Sequence, residues 1–353
     1  MSATAHTAGL SDISAPPVTD GSIALRNLQA QIDGLESDVT LGRAAVESRV
    51  GVIELILLRG LILGQIADYQ RAEEIAEQLV CDAAADATAF VARARTRAVF
   101  HRFTDALDDL ERAEQLSPGV ESTNRDRAAV FQALGRYDEA LALHEAAADR
   151  RTSFEDVAAL AGLYAERGEI DAAERMYAES RRRYRGVSPF PLALLDFQLG
   201  LLWKNEGRLD DARTSFGAAL RRVPAYAPAQ GHLAEVEAEL GEIESAIGRL
   251  CSLAISSDDP DYAAQLARIL GDAGRAPESQ HWRRLAAARY DELIASHPEA
   301  FADHAAEFWL AAGANPEKAL RLARRNVAVR KTPRAYSLLA QAVAANQANL
   351  RTC

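Results

Sequence analysis

Cysteine is scarce: the 353 residues contain three, Cys81, Cys251 and Cys353, odd in number and far apart. No disulfide framework or paired metal-knuckle spacing can be built from them, and a reducing compartment, hence the cytoplasm, is the simplest reading. Aromatics make up only 6% of the chain, and Thr and Ile are thin, which counts against a β fold. Long apolar runs are also missing. The longest candidate, Val52 to Ile66, is broken by Glu54 and Arg59, short of the roughly 18 to 20 residues needed to span a bilayer, so no membrane insertion is expected. Positive charge is in deficit, 40 Lys plus Arg against 51 Asp plus Glu, and the net charge of −11 repels phosphate backbones, so no nucleic acid is expected as a partner. Residues Met1 to Gly21 lack a basic start followed by an apolar stretch, do not resemble a secretory signal, and read as a flexible tail.

Catalytic constellations are absent as well. There is no glycine-rich phosphate loop, no paired-histidine helix with an intervening Glu and no nucleophile elbow. His297 and His304 are the closest histidine pair, but Pro298 should end a helix beside His297, and about two turns would separate the rings even on an unbroken helix. Carboxylate pairs such as Glu73 with Glu77 and Glu235 with Glu239 read as solvated helix faces. The chain is therefore expected not to be an enzyme and to carry no metal or cofactor.

What is present is alanine, the commonest residue, in a pattern. Apolar residues recur at three- and four-residue spacing, as on helices, between short turns. Ala128 to Leu141 (AAVFQALGRYDEAL), Ala161 to Glu174 (AGLYAERGEIDAAE), Gly200 to Arg213 (GLLWKNEGRLDDAR) and Ala234 to Ile247 (AEVEAELGEIESAI) share one plan and start 33, 39 and 34 residues apart. A small first position holds Gly60, Ala94, Ala128, Ala161, Gly200, Ala234 and Ala267. The turn holds Gly135, Gly168, Gly207, Gly241 and Gly274. A second small position holds Ala72, Ala106, Ala140, Ala173, Ala212, Ala246 and Ala319, with Ser279 as the exception. Large residues recur at Leu110, Tyr177, Phe216 and Leu250, and prolines close units at Pro118 and Pro224. Small residues at both crossing points let two helices approach where Leu would overpack. Glycine ends the first helix at positive φ, and Asp138, Asp171 and Asp210 suit the start of the second.

This conjunction resembles the tetratricopeptide repeat, a helix-turn-helix unit of about 34 residues. The resemblance covers about 300 residues in eight units, starting near Ile53, Ala87, Glu121, Phe154, Ala193, Ala227, Pro260 and Ala300. It implies an all-α, right-handed superhelical solenoid of about eight hairpins with capping helices. The corresponding division is a tail over 1–20, an N-terminal cap over 21–52, the solenoid over 53–332, and a C-terminal cap and tail over 333–353. Three departures stand out: Ala67 and His101 occupy the turn position of the first two units, Gly313 falls one residue early in the last, and GVSPFP over 186–191 lengthens one connection.

In this family the concave face is lined by the first helices and holds peptides or partner helices. Projecting those helices inward gives Leu57, Leu61, Val91, Arg95, Arg125, Gln132, Leu194, Phe197, Leu201, Lys204, Asn205, Glu235, Glu239, Asp261, Arg268, Phe301 and Phe308. The candidate partner-binding residues are Phe197, Leu201, Lys204, Asn205, Arg125 and Arg95. The regular Lys and Asn arrangement that chaperone-docking members use for a terminal carboxylate is missing. Arginine clusters at 181–185 and 321–334 fit helix carboxyl ends or an acidic partner. The expected function is a non-catalytic interaction scaffold for a protein or peptide, possible also as a homo-oligomer. The alternatives are a peptide-responsive sensor and an accessory subunit that positions an enzyme or its substrate.

Overall fold

The structure, a computed structural model, describes residues 17–40, 44–118, 121–148 and 153–352, and every regular element among them is an α-helix. Most of the expected N-terminal tail lies outside the described residues. Helix α1 (Gly21–Thr40) precedes eight hairpins. These are α2 (Val46–Leu63) with α3 (Ile66–Asp82), α4 (Ala87–Val99) with α5 (Phe103–Leu116), α6 (Glu121–Leu134) with α7 (Tyr137–Ala148), α8 (Phe154–Glu166) with α9 (Ile170–Arg183), α10 (Phe190–Asn205) with α11 (Leu209–Arg222), α12 (Ala227–Glu239) with α13 (Ile243–Ser256), α14 (Pro260–Asp272) with α15 (Ala276–Ser296), and α16 (Ala302–Leu310) with α17 (Pro316–Val329). Helix α18 (Pro333–Thr352) closes the stack. The first helix of the first hairpin starts at Val46, ahead of the Ile53 read from the sequence; the other unit starts differ by at most a few residues.

Five of the hairpin turns hold glycine at positive φ where the repeat requires it, from Gly135 at +81° to Gly274 at +77°. The three irregular turns solve the same problem differently. In the first hairpin the left-handed residue is Gly64, at φ +63°, and not position 67; its N–H bonds to the Gly60 carbonyl and stops α2 three residues early. In the last hairpin Ala314 takes the left-handed conformation, φ +49°, while Gly313 is needed because a side chain there would run into Trp309. His101 also adopts φ +55°, at a cost of about 1 kcal/mol. Its ring recovers contacts, stacking on Phe103 and facing the Glu299 carbonyl with Nδ1 at 3.2 Å.

Close approach between paired helices follows from the small residues. Ala106, Ala140, Ala173, Ala212, Ala246 and Ala319 are all fully buried. At Gly200 a Cβ would overlap the Phe216 ring, so α10 and α11 cross at a distance only glycine permits. Phe216 and Trp203 are buried in return, each removing roughly 150 to 250 Å² from water. The buried Asp196 is held by Arg222 at 2.8 Å and by Arg181, a pairing that ties α9, α10 and α11 together.

The superhelix closes on itself. Each turn of an early hairpin meets a connection about 195 residues later, close to six units of roughly 34. Around Gly64, the Ser257 hydroxyl donates to the Gly64 carbonyl, the Gln65 amide donates to Ser256 O at 2.7 Å, and Asp258 accepts from Ile66 N at 2.5 Å and Ala67 N at 2.9 Å. One unit later, Phe100 stacks on His297 with centroids 3.9 Å apart, beside the His101 contact to Glu299. One unit later again, Lys331 N donates to Leu134 O at 3.1 Å and Arg330 Nε to Ala133 O at 3.2 Å. Successive superhelical turns therefore touch, and the concave face becomes the wall of a narrow lumen.

Candidate functional site

The lumen is lined by first helices, and its charged residues form a ladder between neighbours. Arg95 on α4 pairs with Glu54 on α2 and with Asp126 on α6 at 3.1 Å. Arg125 on α6 pairs with Asp156 on α8 at 2.9 Å, and Lys204 on α10 pairs with Glu235 on α12. All three pairs that run up the stack join residues 31 apart in the chain. That spacing is one repeat less one helical turn, and it places opposite charges at the same level on adjacent helices.

Toward the later repeats the ladder becomes a denser cluster. His304 Nδ1 lies 3.8 Å from Asp261 Oδ1, and its side chain is 42% accessible. Crowding opposes its charge, but Asp303 and Asp261 outweigh that and push the imidazole up to about 10. Burial works against ionised Glu235 too, and His232 with Lys204 overcomes it, lowering the carboxyl to about 2. Asp259, which caps α14 through the Asp261 amide, is pushed up to about 6 by burial and by Asp261. Among the described residues, no three His, Cys, Asp or Glu gather as a metal site.

Between α2, α6, α8, α9 and α10 the lumen widens into a groove of about 880 Å³, with the α17–α18 connection across it. Its floor is apolar, from Leu58 and Leu61 on α2, Ala158 and Gly162 on α8, and Leu194 and Leu201 on α10. Leu194 is 37% exposed, unusual for a large apolar residue on a first helix. Glu155, Glu166 and Glu206 lie around it, with Arg330 and Arg334 from the α17–α18 connection. Both arginines are already matched, Arg330 to Asp303 at 3.1 Å and Arg334 to Glu307 at 2.9 Å. Glu166 accepts from the Gln132 amide at 2.9 Å and from Tyr137, whose hydroxyl is pushed up to about 12 by burial and by that carboxylate.

Of the six sequence candidates, the structure places two at this groove, Leu201 and Asn205. Phe197 does not face it: the ring is 8% exposed and packs among Phe216, Tyr226 and His232, with centroids 5.3 to 5.8 Å away. On α10 Phe197 lies about a sixth of a turn from Leu194, enough to carry its ring from the groove into the core, and a helix apolar on almost every face offers no polar side to fix that rotation. Arg95, Arg125 and Lys204 belong to the ladder. Its 31-residue spacing of opposite charge was visible in the sequence and would have identified them. Glu155 and Glu206 carry no sequence signal for the groove, and the arginine cluster over 321–334, legible as a basic patch, gives no sign that Arg330 and Arg334 reach it, since nothing local brings residue 330 beside residue 132.

Comparison with known proteins agrees with the architecture. Residues 205–269 match the tetratricopeptide repeat family model. No curated protein matches the chain. Among solved structures, the APC/C hetero-tetramer Cut9-Hcn1 is similar at 14% identity over 90% of this chain and 54% of that one, with a TM-score of 0.51; this chain thus spans about half of that protein's length. The human IFIT1 dimer with PPP-AAAA is similar at 16% identity over 92% of this chain and 78% of that one, with a TM-score of 0.55. A monomeric IFIT1 mutant with Gppp-AAAA gives 16% identity over 92% and 77%, with a TM-score of 0.56. At such identities the likeness is one of fold.

Proposed function

We propose that this chain, built of tetratricopeptide repeats, is a non-catalytic interaction scaffold that captures a peptide or a partner segment in the groove on its concave face. The observation that carries the reading is the apolar floor around the exposed Leu194, in a lumen otherwise lined by paired charges. A pocket of about 880 Å³ with a few polar groups on its edge falls in the range that small ligands and short peptides occupy. The similar IFIT1 structures are described with PPP-AAAA and Gppp-AAAA, but a chain of phosphates calls for unmatched cations. Here Arg95, Lys204, Arg330 and Arg334 each face a carboxylate, which favours a polypeptide over a polyphosphate.

Selection from a displayed peptide library tests the reading. Peptides retained by the full chain should be lost by Leu194→Ser while the helical fold is kept, because more than a third of this residue is open to solvent. Retention that is indifferent to Leu194 places the site elsewhere.

A further inference from the structure

The groove's charges are unevenly matched, and the imbalance says what it accepts. Its two arginines have carboxylate partners, whereas none of Glu155, Glu166 and Glu206 forms an ion pair among the described residues. Glu166 accepts from the Gln132 amide and from Tyr137, both neutral donors. Glu155 stands at the start of α8 and Glu166 at its end, so carboxylates flank the apolar floor about 16 Å apart along the helix axis. Glu206 follows the end of α10 and reinforces the Glu166 end.

The span between the carboxylates then sets the length of the occupant. A helix rises about 1.5 Å per residue, so a helical segment would need about eleven residues to bridge 16 Å. An extended segment covers the same span with about five residues. Resting on the reading of this groove as a peptide site, we propose that its partner is an extended stretch of about five or six residues with apolar side chains at its centre and Lys or Arg at both ends. The apolar centre packs on Leu194 and Leu201, and the terminal cations meet Glu155 at one end and Glu166 with Glu206 at the other.

Two blocked hexapeptides test this, KLALAK and its charge-reversed counterpart ELALAE, titrated against the full chain by calorimetry. KLALAK should bind saturably and more weakly as salt rises from about 50 to about 500 mM, with ELALAE at least about tenfold weaker. The exposed double variant Glu155→Lys with Glu206→Lys should reverse that preference while leaving the melting curve in place. Equal or tighter binding of ELALAE, or undiminished binding of KLALAK to the double variant, overturns the charge assignment and leaves the groove as a peptide site. If neither peptide binds, the proposal falls together with the reading it rests on. A helix-stapled KLALAK that binds more tightly than the free peptide overturns the extended conformation alone.

Discussion

The sharpest consequence of the closed superhelix concerns Asp258. Helix α3 begins after Gln65, which supplies no side-chain cap, so its first amides need an acceptor from elsewhere. Asp258, 191 to 192 residues further along the chain, supplies both carboxylate oxygens, to Ile66 N at 2.5 Å and Ala67 N at 2.9 Å. A conventional cap contributes about 0.5 to 2 kcal/mol, and hydrogen bonds to a charged group about 1.5 to 3 kcal/mol each. With the carboxylate 28% accessible, Asp258→Ala should weaken this junction by about 2 to 3 kcal/mol. In native-state hydrogen exchange the Ile66 and Ala67 amides should then exchange roughly 30- to 150-fold faster. Asp258→Asn, which keeps one acceptor, should recover about half of the loss. Amides on α10, far from the junction, should not change, and small-angle scattering should show an expanded particle as the superhelical turns part. Unchanged exchange at Ile66 and Ala67, or equal acceleration at every helix, would refute the idea that a local contact holds the turns together.

Two further outcomes follow from the same geometry. Ala314 adopts φ +49° in the last hairpin turn, where alanine pays for a conformation that glycine takes freely, so Ala314→Gly should raise the urea midpoint by the equivalent of about 0.5 to 1 kcal/mol after allowing for glycine's looser unfolded state; a lower midpoint contradicts the assigned strain. His304 is pushed up to about 10, above its unfolded value of about 6.5, by Asp303 and Asp261 acting against burial. Its stabilising contribution is therefore complete below about pH 6.5 and is lost as pH climbs toward 10. Melting temperature should fall across that window in the parent protein and fall less in His304→Gln, and parallel curves for the two would remove His304 from the account.

The groove illustrates how legibility fails by degrees. Leu201 and Asn205 are legible because the repeat pattern marks α10 as a first helix, which bounds the inward-facing set. Phe197 lay in the same set and is core, because a helix apolar all round carries no amphipathic signal to fix its rotation. Lys204 was visible as a cation, but its engagement with Glu235 depends on two helices lying side by side at matched height. The Asp258 cap on α3 had no local signature at all.

Hairpin number, unit length and turn positions were set in the sequence, because each depends on contacts within one unit or with its immediate neighbour. Ala212 against α10, or Gly200 beneath Phe216, needs only the adjoining thirty-odd residues to be satisfied. Superhelical closure was settled only in three dimensions. Small rotations add up over about six units before Asp258 reaches Ile66 or Lys331 reaches Leu134, and no single repeat encodes their total. The groove with its flanking carboxylates is a product of that accumulated geometry, which is why its floor could be read in part from α10 while the α17–α18 connection across it could not.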